Sequence, residues 1–159
     1  MTDRELPNDA LIEIAVIGSI IMYPHKYNDI SKYIVSDKVW YEPKCKILWN
    51  ILSAMIKRRE HIDLMTVSSN LNDGDYINGV DNVFVVDCSN NCGTEGSVDL
   101  YAKKIYEKYL LRLVIDHAKD IEKNAMDNKA DALDTLVSAH TSIGELINLR
   151  PDSTFDINV

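Results

Sequence analysis

Ile62-Asp63-Leu64-Met65-Thr66-Val67 decides the fold: it sets a carboxylate between two apolar anchors and then begins an amphipathic turn. Asp63 has the character of a helix N-cap, its side chain placed to accept from the backbone N–H of Met65 or Thr66. Ile62 before the cap and Val67 after it can close over the start of the helix as a hydrophobic staple. A capping carboxylate already engaged by backbone donors is a poor general base, so the segment is architecture before it is chemistry.

Working outward, the chain reads as helices separated by turn clusters. Asn8 and Asp9 can cap a helix running to about Met22, where Pro24 stops it. Gly18 lies inside that helix. A mid-helix glycine costs roughly 1 kcal/mol relative to alanine, so it implies a neighbouring helix packed close at that point. A second helix is expected from about Lys26 to Val35, with Tyr27, Ile30, Tyr33 and Ile34 as its buried stripe. Pro43 introduces a third, from about Lys44 to Arg59, in which Ile47, Leu48, Ile51, Leu52, Met55 and Ile56 recur at helical spacing. Asn72-Asp73-Gly74-Asp75 is a turn cluster. The segment Tyr76 to Cys88 contains Val83-Phe84-Val85-Val86, strand-like by propensity, but a lone strand would have no partner, and a short buried helix is expected instead. Asn90 to Gly96 is the clearest loop. Ser97 is expected to cap a helix from about Val98 to Met126, roughly 40 Å long at 1.5 Å per residue. Asp127-Asn128 breaks it, and a last helix from about Ala130 to Leu149 must fold back on it as an antiparallel hairpin.

Composition narrows the function. The chain has 159 residues, 46% hydrophobic and 26% charged, which suits one compact domain or a small domain with an appended helical element. No apolar run approaches the roughly 18 residues needed to span a bilayer, and no secretory signal opens the chain, so no membrane association is expected. Three cysteines, an odd number, point to reduced thiols in the cytoplasm. A net charge of −8 weighs against a dedicated nucleic-acid surface. Lys57-Arg58-Arg59 is the one dense basic cluster; it suits a solvated helix C-terminus, or contact with DNA or an acidic partner.

Four blocks carry a family likeness: Leu6-Pro7-Asn8; Glu13-Ile14-Ala15-Val16-Ile17-Gly18-Ser19-Ile20; Ile62-Asp63-Leu64; and Tyr101-Ala102-Lys103-Lys104-Ile105-Tyr106-Glu107-Lys108. In that order and at that separation they resemble the N-terminal domain of DnaB-type replicative DNA helicases, from about Leu6 to Leu149. The chain departs from the family pattern at Ile14, where glutamine is usual, and at Gly79-Val80-Asp81, where a Gly-Gly pair is usual. Cys92-Gly93-Thr94 replaces a proline-containing turn. The resemblance implies a non-catalytic assembly domain that forms the N-terminal tier of a hexameric ring, pairs as a dimer through the hairpin, and docks primase and a helicase loader. ATP and Mg would belong only to a RecA-like ATPase domain following residues 150–159, the start of the interdomain linker. This chain has no phosphate-binding loop, since no Gly is followed by Lys. By itself it should carry no cofactor, hydrolyse no ATP and bind DNA weakly or not at all. It would then be an excised piece of an ATP-dependent helicase; the alternatives are a helicase-binding C-terminal domain of a primase, which resembles the same fold, or a stand-alone helical adaptor of the replication machinery.

The expected fold is therefore all-α: a head of about six helices over residues 6–92, then a long antiparallel helical hairpin over residues 97–149. In the hairpin, Leu110, Val114, His117 and Ile121 form one stripe, and Leu133, Leu136, His140, Ile143 and Ile147 a second. A two-helix hairpin cannot shield both stripes alone. Packing within the chain could cover them, and a second copy could, which makes these nine residues the candidates for self-association. Gly18 and Asp63 are the structural candidates. Other constellations are weaker: Cys88 and Cys92 lack a second cysteine pair for zinc, the Asp- and Asn-rich turns at 72–82 lack the bidentate glutamate of a calcium loop, and a hydrolase built on His61 and Asp63 would need a carboxylate that is free of capping.

Overall fold

The computed structural model describes residues 4–149, and those residues are helical without a strand. The linker expected at 150–159 lies outside them. Eight α-helices follow in order: α1 (Ala10–Met22), α2 (Tyr27–Ser31), α3 (Pro43–Lys57), α4 (Leu64–Ser69), α5 (Asp73–Ile77), α6 (Asn82–Asn90), α7 (Val98–Ala125) and α8 (Ala132–Ile147). The chain divides into two compact units, one of residues 8–109 and one formed by residues 110–149 with the N-terminal segment 4–7. The division falls inside α7, at Tyr109 and Leu110, whereas the sequence suggested a boundary at the loop near Cys92.

The head unit is organised around α1. Its middle is apolar all round, as a helix enclosed by protein should be, and Val16, Ile17 and Ile20 are fully buried between α3 and α6. Gly18 is where α6 comes closest: a Cβ there would stand 1.8 Å from the Cys88 carbonyl oxygen. From α3, Leu48, Leu52 and Met55 fill the other side, and Trp49 stacks on Tyr27 and packs against Trp40. Glu13 is buried among these side chains, yet it is satisfied. Its carboxylate accepts from the backbone N–H of Tyr41 and of Glu42, 2.9 Å each, holding the two donors that lead into α3.

Local chemistry sets the remaining ends. Asp9 accepts from the Ile12 N–H and starts α1; Asp81 accepts from the Phe84 N–H and starts α6. The turn cluster at Asn72 is itself a helix start: Asn72 and Asp75 cap each other across α5. Gly79 then takes φ +80, the left-handed conformation glycine tolerates, and Val80 drops into the core. The helix expected to reach Val35 ends at Ser31, and beyond it the Tyr33 N–H closes a tighter i→i−3 turn on the Ile30 carbonyl. At the start of α7 a 3-10 turn, Glu95–Ser97, leads into the helix, and the Ser97 hydroxyl pairs with Thr94 where a capping bond was expected.

Within the second unit α7 and α8 run antiparallel, with His117 beside Ser142 and Asn124 beside Thr135. Asp131 caps α8 by accepting from the N–H groups of Leu133 and Asp134 at 3.0 Å each. Arg112 is buried and donates from Nη1 to the Pro7 carbonyl at 2.8 Å, which ties the N-terminal segment to α7.

Candidate interaction surface

The two stripes of the hairpin do not share one surface. The groove between α7 and α8 is lined by His117, Asp120 and Ile121 from one helix and by Thr135, Ala139 and Ser142 from the other, mostly small or polar groups. His117 Nδ1 is hydrogen-bonded to Ser142 Oγ there, so His117 and Ile121, both half-buried, serve the contact inside the hairpin. At 100° per residue, Leu133, Leu136, His140, Ile143 and Ile147 centre roughly 120° around α8 from its α7-facing side. They face outward. Leu133 is 73% exposed, Leu136 66%, Ile147 53% and Ile143 40%, and His140 is exposed as well. On α7, Val114 is exposed and Leu110 is half-buried.

Two further apolar residues belong to these outward faces. Val137 is as exposed as its neighbour Leu136, and Leu111 is half-exposed on α7. Leu111, Ile115 and Ala118 recur at spacings of four and three, a second stripe beside the one that starts at Leu110, and that was the signal available for Leu111. Helix spacing alone does not say which of two adjacent stripes meets the neighbouring helix. The outcome is a helix pair whose groove is lined mostly by small or polar groups, while several apolar side chains of α8 and α7 face outward.

The other candidates are structural or inert. Asp63 Oδ1 accepts from the Thr66 N–H at 2.8 Å while Thr66 Oγ1 accepts from the Asp63 N–H at 2.9 Å, a complete capping box with threonine in the glutamate's usual role. The backbone bond from Thr66 holds the Asp63 carboxyl below the usual carboxylate range. His61 Nε2 lies 3.2 Å from Asp63 Oδ2, and both side chains face solvent, while the Asp63 carboxylate is engaged in capping α4. Cys45 and Cys88 are buried free thiols; burial pushes Cys88 up to about 12 and raises Cys45 as well, which leaves both protonated at neutral pH. Among the described residues no group of three or more His, Cys, Asp or Glu side chains could hold a metal ion, and no helix is long and apolar enough to cross a membrane.

Comparison with known proteins gives this arrangement a context. The family model described as the DnaB-like helicase N-terminal domain matches residues 5–107. The replicative DNA helicase DnaC of Bacillus subtilis is 28% identical over 156 residues, covering 98% of this chain but 34% of that protein. The chain thus spans about a third of the length of that relative. Among solved structures, the N-terminal domain of DnaB helicase from Mycobacterium tuberculosis aligns with a TM-score of 0.77 at 18% identity, over 89% of this chain and 99% of that one. A DnaB-like replicative helicase, studied with its interactions with primase, aligns with a TM-score of 0.67 at 14% identity, over 87% of this chain and 31% of that one. At those identities the structural matches speak for the fold.

Proposed function

Because the chain belongs to the DnaB-like helicase N-terminal domain family, we propose that it is the assembly tier of a hexameric replicative helicase, working in the cytoplasm and non-catalytic by itself. The observation that carries this reading is the apolar exterior of the hairpin. Leu133, Leu136, Ile143 and Ile147 on α8, with Val114 and Leu111 on α7, keep 40–73% of their surface exposed, the kind of apolar exposure that marks an interface. A second hairpin offers the same surface in return, and a two-fold contact between identical patches closes on itself instead of propagating. Three such pairs make a hexamer.

In this role the ring so formed presents a repeated surface to primase and to a loader. The primase assignment is supported by the DnaB-like helicase of the same fold that was solved with its interactions with primase. ATP and Mg chemistry would reside in a separate ATPase domain of the full-length protein. Titration calorimetry tests the reading. Heat should appear when the chain is mixed with a cognate primase and be absent with Mg-ATP; no heat with primase, or a saturating isotherm with Mg-ATP, contradicts it.

A further inference from the structure

The outward face of α8 is arranged symmetrically about His140. Leu136 and Val137 precede it and Ile143 and Gly144 follow it, with Leu133 and Ile147 the next pair out, so its neighbours recur three, four and seven residues to either side. The symmetry also holds around the helix. At 100° per residue, Leu133 and Ile147 fall roughly 20° to the two sides of His140, Leu136 and Gly144 roughly 40°, and Val137 and Ile143 roughly 60°. His140 is exposed, and it is the centre of this face in both directions.

No charged group is placed to answer a charge on that ring. The other ionisable side chains of α8, Asp134 and Glu145, lie roughly 120° and 140° from His140 around the helix. On α7, His117 and Asp120 line the groove, and Ser142, which meets His117, lies roughly 160° from His140. Lys119 is level with His140 but points roughly 150° away from the groove side of α7. A two-fold axis perpendicular to α8 and beside His140 makes the helix an antiparallel neighbour of its own copy. Leu133 then stands level with the partner's Ile147, and Val137 with the partner's Ile143. Leu136 stands level with the partner's Gly144, where there is room for it, since a Cβ built on Gly144 has nothing within 4 Å. A parallel pair would set glycine beside glycine and leave a gap in that layer.

Resting on the hairpin pairing proposed for this chain, we infer that the two copies meet around His140 in this antiparallel register, and that acid releases them. His140 alone meets its own copy at the axis. In the separate chains the imidazole stands in water whether charged or neutral. In the pair it leaves water and abuts a second imidazole, so charging it costs desolvation and a like-charge contact. Protons therefore bind the separate chains more readily than the pair. Association is full where histidine is neutral and falls as pH drops through the range in which histidine gains its charge.

The test uses the full chain. Sedimentation velocity should show wild-type pairing weakened about tenfold or more between about pH 7.5 and about pH 5.5, with the tryptophan fluorescence of the head unchanged. His140→Leu should pair at least as tightly and lose that response, whereas His117→Gln, which removes the inner histidine, should keep it. Diamide oxidation reads the register: His140→Cys should give a covalent dimer faster than the wild type, whose Cys45 and Cys88 are buried. Leu133→Cys should do so only when Ile147→Cys is in the same chain. A pH response that survives His140→Leu, or pairing that tightens in acid, overturns the acid release. Covalent dimer from Leu133→Cys alone overturns the antiparallel register. If His140→Cys gains nothing while Leu136→Asp with Ile143→Asp abolishes the dimer, the hairpins pair about another centre and only this inference falls. A wild type that is monomeric at every pH removes the pairing itself, and this inference with it.

Discussion

Between Asn8 and Tyr109, Val16, Ile17, Ile20, Leu48, Leu52 and Met55 expose nothing to solvent, whereas among the described residues from Leu110 onward only Arg112 and Leu146 are buried. The two units have similar helix content and opposite economies of apolar surface. In the head, α1 is enclosed by its neighbours, and its single buried carboxylate is matched by two backbone donors. In the hairpin, the groove between α7 and α8 is lined mostly by small or polar groups while Leu133, Leu136 and Val137 keep 66–73% of their surface in water. A unit that buries its own apolar residues needs no partner to cover them; one that turns them outward leaves apolar surface in water, which is the basis of the proposed pairing.

The strongest way to break the comparison is to attack the head where it is tightest. Gly18→Val must displace the α6 backbone, since even a Cβ meets the Cys88 carbonyl oxygen at 1.8 Å. We expect loss of the folded head, read as loss of the cooperative urea transition in tryptophan fluorescence; both tryptophans, Trp40 and Trp49, lie in the head. Retention of a normal transition would mean that the α1–α6 contact is soft. Next in size is Glu13→Ala, which strands the Tyr41 and Glu42 N–H groups and should cost about 3 kcal/mol by the same probe. Glu13→Gln, which keeps an acceptor, should recover part of that loss. The smallest effect sharpens the other side: Leu133→Ser removes a leucine from the hairpin exterior and should move the head transition by less than about 0.5 kcal/mol. A larger shift would show that the exterior of α8 supports the fold.

Much of this was legible from residues, and the boundary of legibility is physical. Caps are local, so Asp9 and Asp63 announced α1 and α4 within three residues of the donors they hold. Gly18 announced a close approach because a glycine in so apolar a helix has few other reasons to be there. Glu13 could not be read, since its partners stand 28 and 29 residues away and nothing in its own segment marks them. The hairpin itself was legible from its spacing. Its division into an inner and an outer stripe was not, because His117 and Leu136 carry the same periodic signal while one meets Ser142 and the other meets water. Turn chemistry misled at Asn72, where the residues that favour turns also start short helices.

The hairpin exterior is proposed as an interface between copies of this chain. Sedimentation velocity of the wild-type chain and of the double variant Leu136→Asp with Ile143→Asp tests it most directly. Both side chains are exposed in the single chain, so the substitutions should leave the monomer folded, whereas unpaired charges buried at a dimer contact cost several kcal/mol. We expect a concentration-dependent dimer for the wild type and a monomer with an unchanged head transition for the variant. A wild-type chain that stays monomeric at high concentration, or a variant that still sediments as the dimer, would contradict it.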